Sequence, residues 1–184
     1  MMVSFIQSNY MGFGSGIVVP DTGISLQNRG TGFSLEEGHP NRVDGGKRPF
    51  HTIIPAFLMQ GDRPLMSFGV MGGPMQAQGH VQMVLRLVDY GQNPQAACDA
   101  PRWRFNEGLS INIEPHMPAA TIEALRARGH EIGDIHDSYQ DFGAGQFIWH
   151  QGDPVRGNTM SIPGNSPINT HIHTQHGFGH SVSI

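Results

Sequence analysis

The sequence predicts an α+β fold, with strands first, helices in the middle and strands again, instead of the regular βαβ alternation of a parallel sheet. Gly (25) and Pro (13) together make up about a fifth of the 184 residues, which is high for a helical bundle and suits short strands joined by tight turns. Helical spacing of apolar residues is confined to the middle of the chain, between β-prone runs. Hydrophobic residues at 38% and charged residues at 14% are enough for one domain with a core and argue against a wholly disordered chain.

The elements follow in order. Met2 to Asn9 is apolar and β-prone and is predicted as a strand. Gly12-Phe13-Gly14-Ser15-Gly16 comes next, then short strands at Ile17–Val19 and Ile24–Gln27 around Pro20-Asp21-Thr22-Gly23, whose Pro and Gly suit a turn. Arg29 to Pro49 reads as a long surface loop. Ile53–Met59 and Leu65–Val70 form a hairpin-like pair around Gln60-Gly61-Asp62-Arg63-Pro64. A second glycine-rich stretch, Gly69 to Pro74, leads into a helix over about His80 to Asp89, where Val81, Val84, Leu85 and Val88 recur at three- and four-residue spacing. Asn93-Pro94 is an N-cap with a first-turn proline for a short helix through Ala96, Ala97 and Cys98. Pro118 opens another helix, with Ile122 and Leu125 inward and Gly129 at its end. Short strands follow at Glu131–Ile135 and Gln146–Trp149. His150 to Ile184 lacks an apolar period and reads as a poorly ordered, His-rich tail, so the expected division is 1–149 and 150–184. No internal repeat is present.

The formal charge of −4 and the lack of a dense Lys/Arg cluster argue against a nucleic-acid surface. No apolar run reaches the roughly 18 residues that span a bilayer, so no membrane partner is expected. The opening Met1-Met2-Val3-Ser4-Phe5-Ile6 lacks the features of a secretion signal and reads as the middle of a strand, as in a truncated chain. The lone Cys98 excludes an intrachain disulfide framework.

Several adjoining segments carry a resemblance. They are Met2-Val3-Ser4-Phe5-Ile6-Gln7-Ser8, Gly12 to Gly16, Gly23-Ile24-Ser25-Leu26-Gln27-Asn28, Lys47-Arg48-Pro49 with Pro55, Gly69-Val70-Met71-Gly72-Gly73, and Asp89-Tyr90-Gly91 followed by Ala100-Pro101-Arg102. In that order and spacing, the chain resembles the small subunit of the γ-glutamyltranspeptidase family over about its first 149 residues. The resemblance implies the αββα sandwich of N-terminal-nucleophile hydrolases, two stacked antiparallel sheets between helix layers. It implies a precursor that cuts itself to expose a catalytic threonine, a large subunit as partner, a small amide or γ-glutamyl substrate, and no cofactor. A threonine hydroxyl is a poor nucleophile at neutral pH, and the free α-amine of the same residue can act as its base. In the family that threonine starts the small subunit, one strand before the segment corresponding to Met2–Ser8. Thr22, Thr31, Thr52, Thr121, Thr159, Thr170 and Thr174 all lie elsewhere, so the chain alone is expected to be an inactive fragment.

The resemblance also assigns supporting roles. Gly72 and Gly73 match the paired glycines whose N–H groups form the oxyanion hole, each donor being worth roughly 3 kcal/mol of transition-state stabilisation. Ser8 matches a hydroxyl residue that bonds the nucleophile. At the substrate positions the chain departs from the transpeptidases. Tyr10 stands for asparagine, Arg29 for Gln or Glu, Gly32 for the aspartate that grips the substrate's α-amino group, and His51-Thr52 for a Ser-Ser pair that helps hold its α-carboxylate. Losing the charge partner of a buried ammonium weakens γ-glutamyl recognition, so the pattern looks more like the cephalosporin-acylase branch. Only Gly152-Asp153-Pro154 hints at the family's C-terminal Ser-Asp-Pro-Arg motif.

Two rival readings are weaker. His171, His173, His176 and His180 have metal-ligand spacing, yet no acidic or cysteine ligand lies near them in sequence, and no metal site is expected. A Ser-His-Asp hydrolase needs a Gly-x-Ser-x-Gly elbow, and Phe13 occupies its first glycine position ahead of Ser15. The non-enzyme alternative is an inert scaffold.

Overall fold

The computed structural model describes residues 2–135 and 139–150. They fall into two compact units, one built from Phe5–Ile54 and the other from the first residues together with the chain from Pro55 onward. The expected tail, with its histidines, lies outside the described residues except for His150, whose N–H donates to the Leu65 carbonyl.

The larger unit carries two three-stranded sheets. The first has the order β1-β2-β6, from β1 (Ala56–Gln60), β2 (Arg63–Val70) and β6 (Gly145–Trp149), and is antiparallel throughout. The predicted hairpin is present with a tighter turn, since Arg63 and Pro64 already belong to β2. Pro64 faces Met59 beside an irregularity in the ladder, at the kind of position where a strand tolerates a missing N–H. Alternate residues Met66, Phe68 and Val70 of β2 point to one face, as a two-residue period requires. There they meet Met83, Leu87 and Ala97, with Leu58, Val84, Phe147 and Trp149 packed around them. Burial of each such large side chain stabilises by roughly 1.5–3 kcal/mol.

Helix α1 (Gln76–Val88) begins four residues before the predicted start, and of the recurring apolar residues only Val84 packs on the core cluster. Gly79, Met83 and Leu87 are buried, whereas Val81, Leu85 and Val88 are 59%, 41% and 55% exposed. Apolar residues lie on both sides of this helix, so periodicity alone does not select the stripe that faces the sheet. Backbone approach does. A Cβ on Gly79 would stand 2.8 Å from Val70 Cγ1, so only this edge of the helix lies so close to β2.

Two glutamines on α1 also reveal strands that have no clear sequence signal. The Gln82 side-chain amide donates to the Trp103 carbonyl and accepts from the Trp103 N–H; one turn away, Gln78 does the same with Phe105. They stand in for a neighbouring strand along the edge of β3 (Trp103–Phe105). β3 pairs antiparallel with β4 (Ser110–Ile113), and β4 pairs parallel with β5 (Glu131–Ile135). The expectation of antiparallel sheets therefore holds for the first sheet, while the second is mixed. β5 has its predicted bounds.

The short helices are better matched. In α2 (Pro94–Asp99) the Asn93 side chain accepts from the Ala96 N–H, as the N-cap pattern predicts. In α3 (Ala119–Ala127) Ile122 and Leu125 are the less exposed positions. The four-residue helix α4 (Tyr139–Phe142) was not predicted.

The predicted strand at Met2–Asn9 is corrected to an extended segment without a ladder. Exposure alternates along it, but none of its residues is paired as a strand. Ser4 shows what replaces the ladder: its hydroxyl accepts from the Ala56 N–H and donates to the Phe68 carbonyl. In the smaller unit the two strands predicted at 17–19 and 24–27 reduce to one antiparallel bridge, Val18 with Ser25. The unit is held largely by polar clips. Asn28 accepts from the Met11 N–H and donates to the carbonyls of Met11 and Gly14. Ser15 and Ser25 donate to the carbonyls of Leu26 and Phe13.

Candidate active site

In the larger unit, β2 runs out at Val70 into Met71-Gly72-Gly73, and a short 3-10 turn (Gly73–Met75) feeds directly into α1. Both glycines have positive φ, 121° at Gly72 and 57° at Gly73, a conformation that L side chains rarely adopt. Among the described residues no acceptor takes the N–H of Gly72 or Gly73. Both are half-buried, and Gly73 has open space where a Cβ would be. Two unclaimed backbone donors side by side can stabilise a developing oxyanion.

This loop has a rigid support. Gly143 packs against it so closely that a Cβ there would stand 1.6 Å from the Met71 carbonyl oxygen. Its carbonyl accepts from Arg102 Nη1 at 2.6 Å. The same guanidinium forks onto Glu114, through Nη2 to Oε1 at 2.7 Å and Nε to Oε2 at 3.1 Å, and the Arg102 N–H also donates to Oε2. Both residues are buried. A paired, hydrogen-bonded ion pair is the form in which such charges are tolerated inside a protein. Arg102 belongs to the Ala100-Pro101-Arg102 segment, to which the sequence attached no role. On the other side, the Val70 N–H donates to His80 Nε2. Burial lowers the His80 pKa, and the ring is neutral with its proton on Nδ1. Cys98 is no nucleophile candidate, because burial pushes its thiol up to about 11.

The smaller unit brings together most of the predicted substrate residues. Arg29, 9% exposed, donates from Nη2 to Ser8 Oγ at 2.6 Å and from Nη1 to Thr52 Oγ1 at 3.1 Å. Its guanidinium carbon lies 5.2 Å from the centre of the Tyr10 ring. Tyr10 has φ 78°, a strained value for a residue with a side chain. Among the described residues no carboxylate lies within ion-pair distance of Arg29. Thr52 is buried and joins the cluster, while His51 is exposed and does not. At Gly32 a Cβ would stand 3.0 Å from the Phe50 carbonyl oxygen, so an aspartate there would require that backbone to move. No group of three or more His, Cys, Asp or Glu suited to a metal occurs among the described residues.

The Gamma-glutamyltranspeptidase family profile matches residues 1–162. The chain belongs to this family. It is 41% identical over 140 residues to a glutathione hydrolase-like proenzyme of Bacillus subtilis, covering 73% of this chain and 27% of that protein. It is 38% identical over 165 residues to an oxamate amidohydrolase proenzyme of Klebsiella pneumoniae, covering 86% of this chain and 31% of that protein. Among solved structures, cephalosporin acylase from Bacillus halodurans superposes with a TM-score of 0.75 at 54% identity, over 83% of this chain and 28% of that one. A γ-glutamyltranspeptidase from Pseudomonas nitroreducens, at 22% identity and TM-score 0.71, covers 87% of this chain and 92% of that chain and shares the fold. The α+β class and the N-terminal-nucleophile hydrolase fold are thereby shown, and the chain spans less than a third of the two curated proenzymes. Its relatives are amidohydrolases and transferases.

Proposed function

We propose that these residues form the supporting part of an N-terminal-nucleophile amidohydrolase, within the small subunit of a longer self-cleaving precursor. The observation that carries this is the Gly72-Gly73 pair at the end of β2, whose two N–H groups meet no acceptor among the described residues. In the reaction a threonine hydroxyl attacks an amide carbonyl and its own α-amine takes the proton. Gly72 and Gly73 hold the resulting oxyanion while the leaving amine collects the proton. Water, or an acceptor amine, then releases the acyl group from the threonine.

The threonines of this chain do not supply that nucleophile. Thr22, Thr31, Thr52, Thr121, Thr159, Thr170 and Thr174 all follow the Met2–Ser8 segment, whereas the family's nucleophile stands one strand before it, so none matches that position. Thr52 is buried against Arg29. Assayed by itself, the 184-residue chain is therefore expected to be inactive. Exposed apolar residues such as Phe57, Val81, Leu85 and Val88 support a missing partner. The isolated chain is expected to self-associate in light scattering.

Recognition of a γ-glutamyl substrate is expected to be weak. Gly32 offers no carboxylate to an α-ammonium, and Arg29 repels one. The test compares a precursor extended upstream to include the threonine with the 184-residue chain. The extended protein should self-cleave and hydrolyse a p-nitroanilide, with a glutaryl substrate at least as good as a γ-glutamyl one. The 184-residue chain should match the blank, and turnover by it would overturn the assignment.

A further inference from the structure

We propose that His80 is a positioning residue for the oxyanion loop: its neutral ring fixes the last N–H of β2, aims the Gly72 and Gly73 N–H groups, and releases them on protonation. This rests on the amidohydrolase reading above. Neighbouring N–H groups along a strand serve opposite sides of the ladder. At the end of β2 the two sides meet different kinds of partner. The Met71 N–H donates to the Ala144 carbonyl, on the side of β6. On the other side β1 begins opposite Phe68, short of Val70, and the Val70 N–H donates to His80 Nε2 at 3.2 Å. A side chain thus takes the place of a strand at the residue from which Met71-Gly72-Gly73 departs.

Both elements build this contact. Gly79 brings α1 against β2, since a Cβ there would stand 2.8 Å from Val70 Cγ1, and the next residue presents the imidazole. The buried Phe68 ring lies 4.9 Å from the imidazole, centre to centre, and steadies it. A ring nitrogen accepts only without its proton, and in an imidazolium both nitrogens donate. Protonation of His80 therefore sets N–H against N–H at Val70 and frees the end of the strand. A shift of about 1 Å in a catalytic group costs on the order of 100-fold in rate. The groups around the ring leave its charge to the solvent pH. Gln76, Ala77, Met83 and Val84, one turn away on α1, are uncharged, and the charged residue of β2, Arg63, stands at the far end of that strand. Burial alone lowers the His80 pKa, so the ring is neutral at pH 7 and charges only in acid.

The test uses the intact, self-cleaved protein and glutaryl p-nitroanilide. At pH 8, His80→Leu should lower kcat by about 10–100-fold and leave KM within about threefold, because oxyanion donors act mainly in the transition state. His80→Gln carries an amide oxygen that accepts at every pH. It should keep kcat within about fivefold and lose the decline in kcat that the wild type shows below pH 6.5. Hydrogen exchange of the peptide Phe68 to Gly73, corrected for intrinsic rates, reads the loop without turnover. It should be fast in His80→Leu at pH 8, fast in the wild type only in acid, and slow in His80→Gln throughout.

An unchanged kcat in His80→Leu, a loss carried by KM, or the same acid decline in the wild type and His80→Gln would overturn the proposal. If the wild type turns over no anilide, the amidohydrolase reading fails and exchange decides the support: the pattern above upholds it, and equal exchange in all three proteins overturns it. If His80→Leu does not fold, the other two proteins decide. Acid loosening in the wild type alone supports the positioning role, and equal behaviour of the two overturns it.

Discussion

In the larger unit, Met66, Phe68, Val70, Met83, Leu87 and Ala97 close into an apolar cluster, and the one deeply buried ion pair among the described residues, Arg102 with Glu114, is neutral as a whole. In the smaller unit the buried groups are Arg29 and Thr52, and loops are tied by Asn28, Ser15 and Ser25 instead of by apolar packing. The same chain thus uses two kinds of cohesion. Apolar packing with satisfied charges tolerates little change, and it carries the Gly72-Gly73 loop. Polar clips leave the backbone irregular and surround the buried Arg29 guanidinium. Rigid support goes with the loop proposed to hold the oxyanion, and irregular loops tolerate more change.

The sharpest way to break this contrast is at Arg102. Arg102→Met leaves Glu114 buried and alone and should cost about 3–5 kcal/mol in denaturant unfolding of the intact protein. The double change Arg102→Met with Glu114→Leu should recover most of that stability but not the turnover, because the Gly143 carbonyl still lacks its donor. Full activity in a stable double variant would show that the Gly72-Gly73 loop needs no such support.

A similar loss is expected at the core. Met83→Ala should cost about 2–5 kcal/mol, read from the same unfolding curves. In the smaller unit Asn28→Ala should cost only about 1–3 kcal/mol and should act locally. Proteolysis should then speed up within residues 5–54 while the global melting temperature barely moves. A global loss as large as that of Met83→Ala would erase the distinction between the units.

The smallest effect is at His80. Its pKa is lowered on folding, so between the folded value and the ordinary 6.5 the unfolded chain binds more protons. The contribution of the neutral ring is therefore fully present above pH 6.5 and is lost as the pH falls through the folded value. His80→Gln should flatten the decline in melting temperature below pH 6.5. An unchanged decline would assign it to other groups.

How much of this was legible beforehand varied with the element. The hairpin, the Asn93 cap, β5 and the Gly72-Gly73 loop could be read because each depends on neighbours in sequence: a turn, a capping side chain, a short apolar run, two adjacent glycines. β3 and β4 could not, since the first is stabilised by Gln78 and Gln82 from about two dozen positions earlier. Ser8, Tyr10, Arg29 and Thr52 were each singled out, but that they meet around one guanidinium could not be read from their spacing. His51, adjacent to Thr52 in sequence, faces solvent.

By itself the sequence determined the fold class, the family and the residues worth examining, because motif order and local turn chemistry are written along the chain. Tertiary structure alone decided which apolar stripe of α1 faces the sheet, since Gly79 lets one side approach β2 and Val81, Leu85 and Val88 are left outside. It also decided that, among the described residues, Arg102 finds Glu114 while Arg29 finds hydroxyls and a ring. Whether a buried charge meets its opposite depends on which distant segments fold together, and no local pattern encodes that.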